Sequence, residues 1–186
     1  MADSKFKVLL YADGSHQAFS AAVYTATLLK NMPNMHLTIV KVHDPKQVPE
    51  VKDYNWVDTW PINPTSEWMK HVFNNYDEDT QKEFHEILTI TNTILYKSGY
   101  DVNHQELFVN TSLSNIADTV DVILDYATQN SFKLIVMGTR GLSKLNGLIF
   151  GSLAHTVLDQ SAIPVLLIKK LSKESIDRYL EENSQP

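Results

Sequence analysis

Four short apolar runs and one mixed run, separated by segments of helical spacing, constrain this chain more than any other feature. The runs are "FKVLLYA" (Phe6 to Ala12), "HLTIVKVHD" (His36 to Asp44), "YDVNHQELFVN" (Tyr100 to Asn110), "FKLIVMG" (Phe132 to Gly138) and "IPVLLIK" (Ile163 to Lys169). Each is short and bounded by turn residues, and several are rich in β-branched residues, which suits strands. Between them, Ala18, Ala21, Ala22, Thr25, Leu28 and Leu29 recur on one helical face behind Ser15, an N-cap residue, until Pro33 and Asn34 break the pattern. A second helix is predicted from Asp77 to Ser98, with Phe84, Ile87, Leu88, Thr91, Ile94 and Leu95 on one face and Gly99 as its stop. A third spans Asn115 to Gln129, with Ile116, Val120, Ile123, Leu124 and Ala127 in phase, and a short fourth spans Ser152 to Gln160. Strands alternating with helices imply an α/β fold with an open parallel sheet covered on both faces and right-handed crossovers.

At 186 residues the chain reads as one domain, 1–186. Two segments stand outside the alternation. Residues 45–77 hold Pro45, Pro49, Pro61 and Pro64 together with all three tryptophans, Trp56, Trp60 and Trp68. Disordered segments are poor in aromatics, so this is read as an ordered insertion whose tryptophans anchor core or interface. The tail, 171–186, carries Glu174 and Arg178 four apart, and likewise Ile176 and Leu180, which predicts a helical turn or two.

A net charge of −6 argues against a nucleic-acid partner, because phosphate neutralisation needs a basic surface. Without cysteine, thiolate metal sites, disulfides and a thiol nucleophile are excluded. The seven histidines show no H-E-x-x-H or i,i+4 pattern, so no protein-ligated metal is expected. The N-terminal apolar run meets Asp13 too soon for a signal segment or membrane span, and a cytoplasmic protein without a membrane partner is the expectation.

Chemistry concentrates in "VMGTRGLSKLNGLIFGSLAHTV", Val136 to Val157, which holds four of the six glycines: Gly138, Gly141, Gly147 and Gly151. Glycine serves where backbone turns tightly or approaches another object closely. Gly138 closes a strand and Ser152 opens a helix, so loop N–H groups, the helix N-terminus and the Ser152 hydroxyl can converge on an anion. With strand order 3-2-1-4-5 the winding reverses between strands one and four, which sets Asp13 beside this loop. Neither G-x-x-x-x-G-K-[ST], G-x-G-x-x-G nor G-x-S-x-G occurs in the chain. Gly147 is read as a loop hinge, Arg140 as either a solvated charge or a phosphate contact, and His155 as a surface residue. Asp13 can both cap the first helix and contact a ligand.

"LIVMGTRGLSKLNGLIFGSLAHTVLDQSAIPVLLIK" resembles the C-terminal half of the universal stress protein family, whose ATP-binding members carry G-2x-G-9x-G-(S/T). Gly138, Gly141, Gly151 and Ser152 match that motif, "KVLLYADGS" is similar to the family's first strand and acidic turn, and "TIVKVHD" to its second strand. The resemblance implies a five-stranded parallel sheet of adenine nucleotide α-hydrolase type, ordered 3-2-1-4-5. It implies that ATP or AMP binds, with any Mg²⁺ carried in by the nucleotide. Ala12 and Asp13 would lie by the adenosine and the Val42 backbone by the adenine edge. Met137, Gly138, Thr139, Arg140 and Gly141 would line the ribose and phosphate side, and Gly151, Ser152 and Leu153 would close on the phosphates. It further implies a homodimer paired through the last strand, Pro164 to Lys169, which hides an apolar edge.

Three features depart from the family pattern: Ala154 where a hydroxyl residue is common, Lys133 where an acidic one is, and the long tryptophan-bearing insertion. With no Walker lysine and no evident base for water attack, the expected role is a nucleotide-dependent stress or signalling protein with at most slow hydrolysis. The alternative is an interaction module in which the insertion or tail binds a protein partner around a weak nucleotide pocket. An adenylate-forming hydrolase ranks last, since "ADGSHQ" only partly echoes the S-G-G-x-D-S turn such enzymes use.

Overall fold

The computed structural model describes residues 5–13, 15–43, 78–97, 100–109, 115–139 and 151–183. The first strand, β1 (Phe6–Tyr11), is central: Val8, Leu9 and Leu10 are fully buried, because helices cover both of its faces. Val8 and Leu10 join one core cluster while Leu9 and Tyr11 join the other, the period-2 alternation of a strand. Around it run β2 (Met35–His43), β3 (Val102–Phe108), β4 (Leu134–Gly138) and β5 (Val165–Ile168). All neighbours are parallel and the order is β3-β2-β1-β4-β5, as the sequence implies. Tyr11 pairs with Val40 at the last rung between β1 and β2, while Val42 and His43 continue beyond it against β3.

Helix α1 (His16–Asn31) begins where Ser15 accepts the Ala18 amide at 3.1 Å, the cap its position predicts. Its alanines, Ala18, Ala21, Ala22 and Ala26, are buried, so the helix backbone sits close to the sheet. Helix α2 (Glu78–Lys97) buries Ile87, Thr91, Ile94 and Leu95 on the same face. On the opposite face lie α3 (Ile116–Gln129), which buries Thr119, Val120, Ile123 and Ala127, and α4 (Ser152–Gln160), which buries Ala154 and Val157. Helix α3 ends in a Schellman turn. The Phe132 amide donates to Ala127 O and the Ser131 amide to Thr128 O, both at 3.0 Å, with Ser131 at φ 59° where glycine is usual.

The tail is longer than the sequence suggested: α5 (Lys173–Asn183) runs eleven residues. Its apolar side has a place to pack, which short helices need. Ile176 and Tyr179 are buried, the Tyr179 and Thr91 hydroxyls lie 3.1 Å apart, and the Leu171 amide donates to Ser20 Oγ at 3.1 Å. Burial holds the Tyr179 phenol high, at about 12. Strand β5 starts two residues later than the apolar run, because Pro164 has no N–H and contributes only its carbonyl, which accepts from Ile135. The insertion expected at 45–77 lies outside the described residues. Among the described residues no helix is long and apolar enough to cross a membrane.

Candidate functional site

Reversal of the winding between β1 and β4 opens a crevice at their carboxyl ends, the general ligand position of open parallel sheets. Helix α1 leaves β1 on one face and α4 follows β4 on the other, so two helix N-termini flank the crevice. Ala12, fully buried, follows β1, and its amide donates to Val40 O at 2.9 Å. Asp13 comes next, and its Oδ1 accepts the Ser15 amide at 2.9 Å. Desolvation raises the Asp13 carboxyl above its ordinary value, and hydrogen bonds from Ser15 pull it partly back. Burial, with the Asp13 charge adding to it, raises the Tyr11 phenol as well.

Across the crevice β4 ends at Gly138. A methyl group there would meet Gln17 C at 2.6 Å, Ala18 N at 2.7 Å and Gln17 Cβ at 2.8 Å. Gly138 is therefore required by the first turn of α1, which packs directly on this strand. The sequence reading gave it a ligand's approach, and the structure shows a packing demand that stands without any ligand.

Gly151 is different. At φ −64°, ψ 152° it holds a conformation open to any residue, so its own backbone does not require glycine. The Gly151 amide donates to Thr139 O at 2.8 Å, and the Thr139 amide donates to Ile168 O at 2.8 Å. These two bonds bring the ends of the glycine loop together and tie them to β5. They also engage the Gly151 amide, so the amides left for an anion begin one residue later. The first bond inside α4 is His155 N–H to Gly151 O, which leaves Ser152, Leu153 and Ala154 N–H without acceptors in the helix. The Ser152 hydroxyl has no protein partner among the described residues, which fits an oxyanion at this helix start.

Residues 111–169 match the model of the universal stress protein family. Universal stress protein MJ0531 of Methanocaldococcus jannaschii is 40% identical over 52 residues, which cover 28% of this chain and 31% of that protein. The matched part thus spans less than a third of that relative. Stress response protein NhaX of Bacillus subtilis is 26% identical over 170 residues, 88% of this chain and 97% of that one. A solved universal stress protein in complex with cAMP superposes with a TM-score of 0.51 at 17% identity, covering 90% of this chain and 99% of that one.

The chain is similar to universal stress proteins in sequence over part of its length and shares their fold.

Within this universal stress fold, the structure brings Ala12, Asp13, Gly138, Thr139, Gly151, Ser152 and Leu153 to one end of the sheet. Val42 and Met137, 6% and 2% exposed, turn their side chains into the core and leave only backbone for a ligand. Arg140, Gly141 and Gly147 lie outside the described residues. Ala154 packs its methyl in the core at 2% exposure. Lys133 and His155 are exposed, in keeping with surface roles. No motif announced the pair at the end of β2, His43 Nε2 and Glu106 Oε1, 3.7 Å apart across β2 and β3. Burial lowers the His43 imidazole's pKa, Lys41 lowers it further, and Glu106 opposes both.

Proposed function

We propose that this chain binds an adenine nucleotide, ATP or AMP, in the crevice between β1 and β4 and acts as a nucleotide-dependent stress or signalling protein. One observation carries the reading. Asp13, the Gly138–Thr139 strand end and the N-terminus of α4 belong to a single switch-point crevice, whose loop ends are closed by the Gly151–Thr139 hydrogen bond. Asp13 meets the ribose hydroxyls, the Ala12 and Val42 backbones border the adenine, and Met137, Gly138 and Thr139 contribute backbone along the ribose. Ser152 supplies its hydroxyl and, with Leu153, an amide to the phosphates. Mg²⁺ enters with the nucleotide. The solved family member that holds cAMP supports an adenine ligand.

Strand β5 is an edge strand with four half-buried apolar residues, Val165 to Ile168, which supports a homodimer joined through Pro164 to Lys169. The alternative, a protein-interaction module, loses one of its two surfaces, because α5 spends its apolar side on α1 and α2.

Binding of a fluorescent ATP analogue, competed by ATP, AMP, cAMP and NAD, tests the nucleotide reading. Saturable binding displaced by ATP or AMP is expected, and no saturable signal at millimolar ligand would sink it. Sedimentation equilibrium tests the pairing, with a concentration-independent monomer as the adverse result.

A further inference from the structure

At the opposite end of the sheet a cleft of about 200 Å³ opens near the amino ends of β1, β2 and β3 and the loop before β4. Its volume corresponds to roughly six water molecules. The chemistry of its wall is uneven. Lys7 brings a positive charge, His36, His104 and Gln105 add polar edges, and among the described residues neither aspartate nor glutamate lines the cleft. The Lys7 ammonium donates to Asn130 O at 2.9 Å and stands 5.7 Å from the centre of the Phe132 ring, which fixes it while leaving two N–H groups. Thr38 lines the cleft, is 3% exposed, and its hydroxyl finds no protein partner among the described residues. The Tyr126 hydroxyl on the facing helix is in the same position, and its ring is braced 5.7 Å from that of Phe132. The Asn103 amide lies 3.4 Å from His36 Nε2 on the third wall.

A ligand oxygen that accepts from the Thr38 or Tyr126 hydroxyl exchanges a water hydrogen bond for a protein one, worth about 0.5–1.5 kcal/mol each. Asp101 does not line the cleft; it is held by Lys5 and lies 2.8 Å from His36 Nδ1. A fixed ammonium, two hydroxyls and a carboxamide line one small space, and the ammonium, the charged group among them, biases it towards an acceptor-rich anion.

We propose that this cleft is a second ligand site, for a small oxyanion, a carboxylate or a phosphate, held by Lys7, Thr38, Asn103 and Tyr126. It is independent of the nucleotide crevice. Five residues of extended strand separate Lys7 from Ala12, about 17 Å.

The test is an amide NMR titration of the full chain with inorganic phosphate and, separately, succinate. Saturating shifts are expected at Lys7, Thr38, Asn103 and Asn130, with an affinity distinct from that of any phosphate response at Ser152. Whichever anion saturates names the source. Lys7→Met is expected to weaken the response by about tenfold or more. Thr38→Val, nearly isosteric, gives a second reading should Lys7→Met not fold. Absence of saturable shifts with both anions, equal affinity in the variants, or shifts confined to Asp13 and Ser152 would overturn the proposal.

Discussion

The two ends of the sheet hold their polar groups by different means. At the carboxyl end the donors are backbone: the first-turn amides of α4, brought to β4 by the Gly151–Thr139 and Thr139–Ile168 hydrogen bonds. At the amino end they are side chains, Lys7, Thr38, Asn103 and Tyr126, contributed by three strands and a helix. Backbone donors need close approach, and close approach needs missing side chains, so such a site leaves glycines at fixed spacing. Side-chain donors need only the right residues on one face, and leave no spacing at all.

The largest effect expected from breaking this contrast is at Gly138. Gly138→Val sets branched carbons within 3 Å of the α1 backbone, and should cost about 3 kcal/mol, or roughly 10 °C in Tm. Such a loss of fold would take both ends of the sheet with it, so nucleotide binding by this variant says nothing about the ligand. Gly151→Val separates the two. Its backbone already suits any residue, so stability should fall by only about 1 kcal/mol, the cost of a poorer cap. Nucleotide affinity should fall about tenfold or more. A variant that keeps full affinity would show that this glycine does not face the ligand. Thermal denaturation and the competition assay read both quantities.

Asp13 offers a finer cut, because its two roles pull in opposite directions. Its folded pKa lies above the unfolded value, so the ionised carboxylate costs the folded state stability as pH rises through that interval. Asp13→Asn keeps an oxygen for the Ser15 amide and removes the charge. At neutral pH it should melt higher than the parent while binding nucleotide about tenfold more weakly. A variant that melts lower would break the assignment of strain to the charge.

Acid response should draw on both ends of the sheet, His43 at the carboxyl end and His104 beside the amino-end cleft. His43 has a folded pKa below its unfolded value of about 6.5, so its contribution is complete above that value and is lost as pH falls towards the folded one. His104 on β3 shifts the same way, again mainly through burial. Tm should therefore drop between neutral pH and mild acid, and His43→Gln should flatten that slope. An unchanged slope would assign the acid sensitivity elsewhere.

Legibility from sequence follows the same division. The alternation of strands and helices was readable because period and punctuation were consistent along the chain, from Ser15 as a cap to Pro164 before β5, whereas the strand order was implied by the family resemblance. The crevice was expected from the reversal of winding between β1 and β4 and from the family resemblance that Gly151 and Ser152 carry. What Gly138 does was only half readable, since a glycine needed by a helix and one needed by a ligand look alike until a Cβ is built on it. The place of Ala154 in the core depended on the helical phase of α4 against α3, which no local pattern reports. The tail's length depended on the groove between α1 and α2 that receives Ile176 and Tyr179. Lys7, Thr38, Asn103 and Tyr126 are far apart in the chain and unremarkable one by one, and only the registers Thr38–Asn103 and Lys7–His36 set them side by side.

The smallest expected effect is the sharpest test of independence between the ends. Lys7 sits five residues before Ala12 on the strand that enters the nucleotide crevice, so a rigid β1 offers the shortest mechanical route between the two sites. Val8, Leu9 and Leu10 are fully buried between those ends and hold that strand in place from both faces. A close-packed core passes on a discrete repacking but damps the loss of one half-buried side chain at its margin. Lys7→Met keeps the aliphatic stem over Phe132 and removes only the charge and its bond to Asn130 O. Nucleotide affinity should therefore stay within about twofold of the parent, less than 0.5 kcal/mol of coupling. A larger change for Lys7→Met, measured by the same competition assay, would mean that the ends communicate through β1.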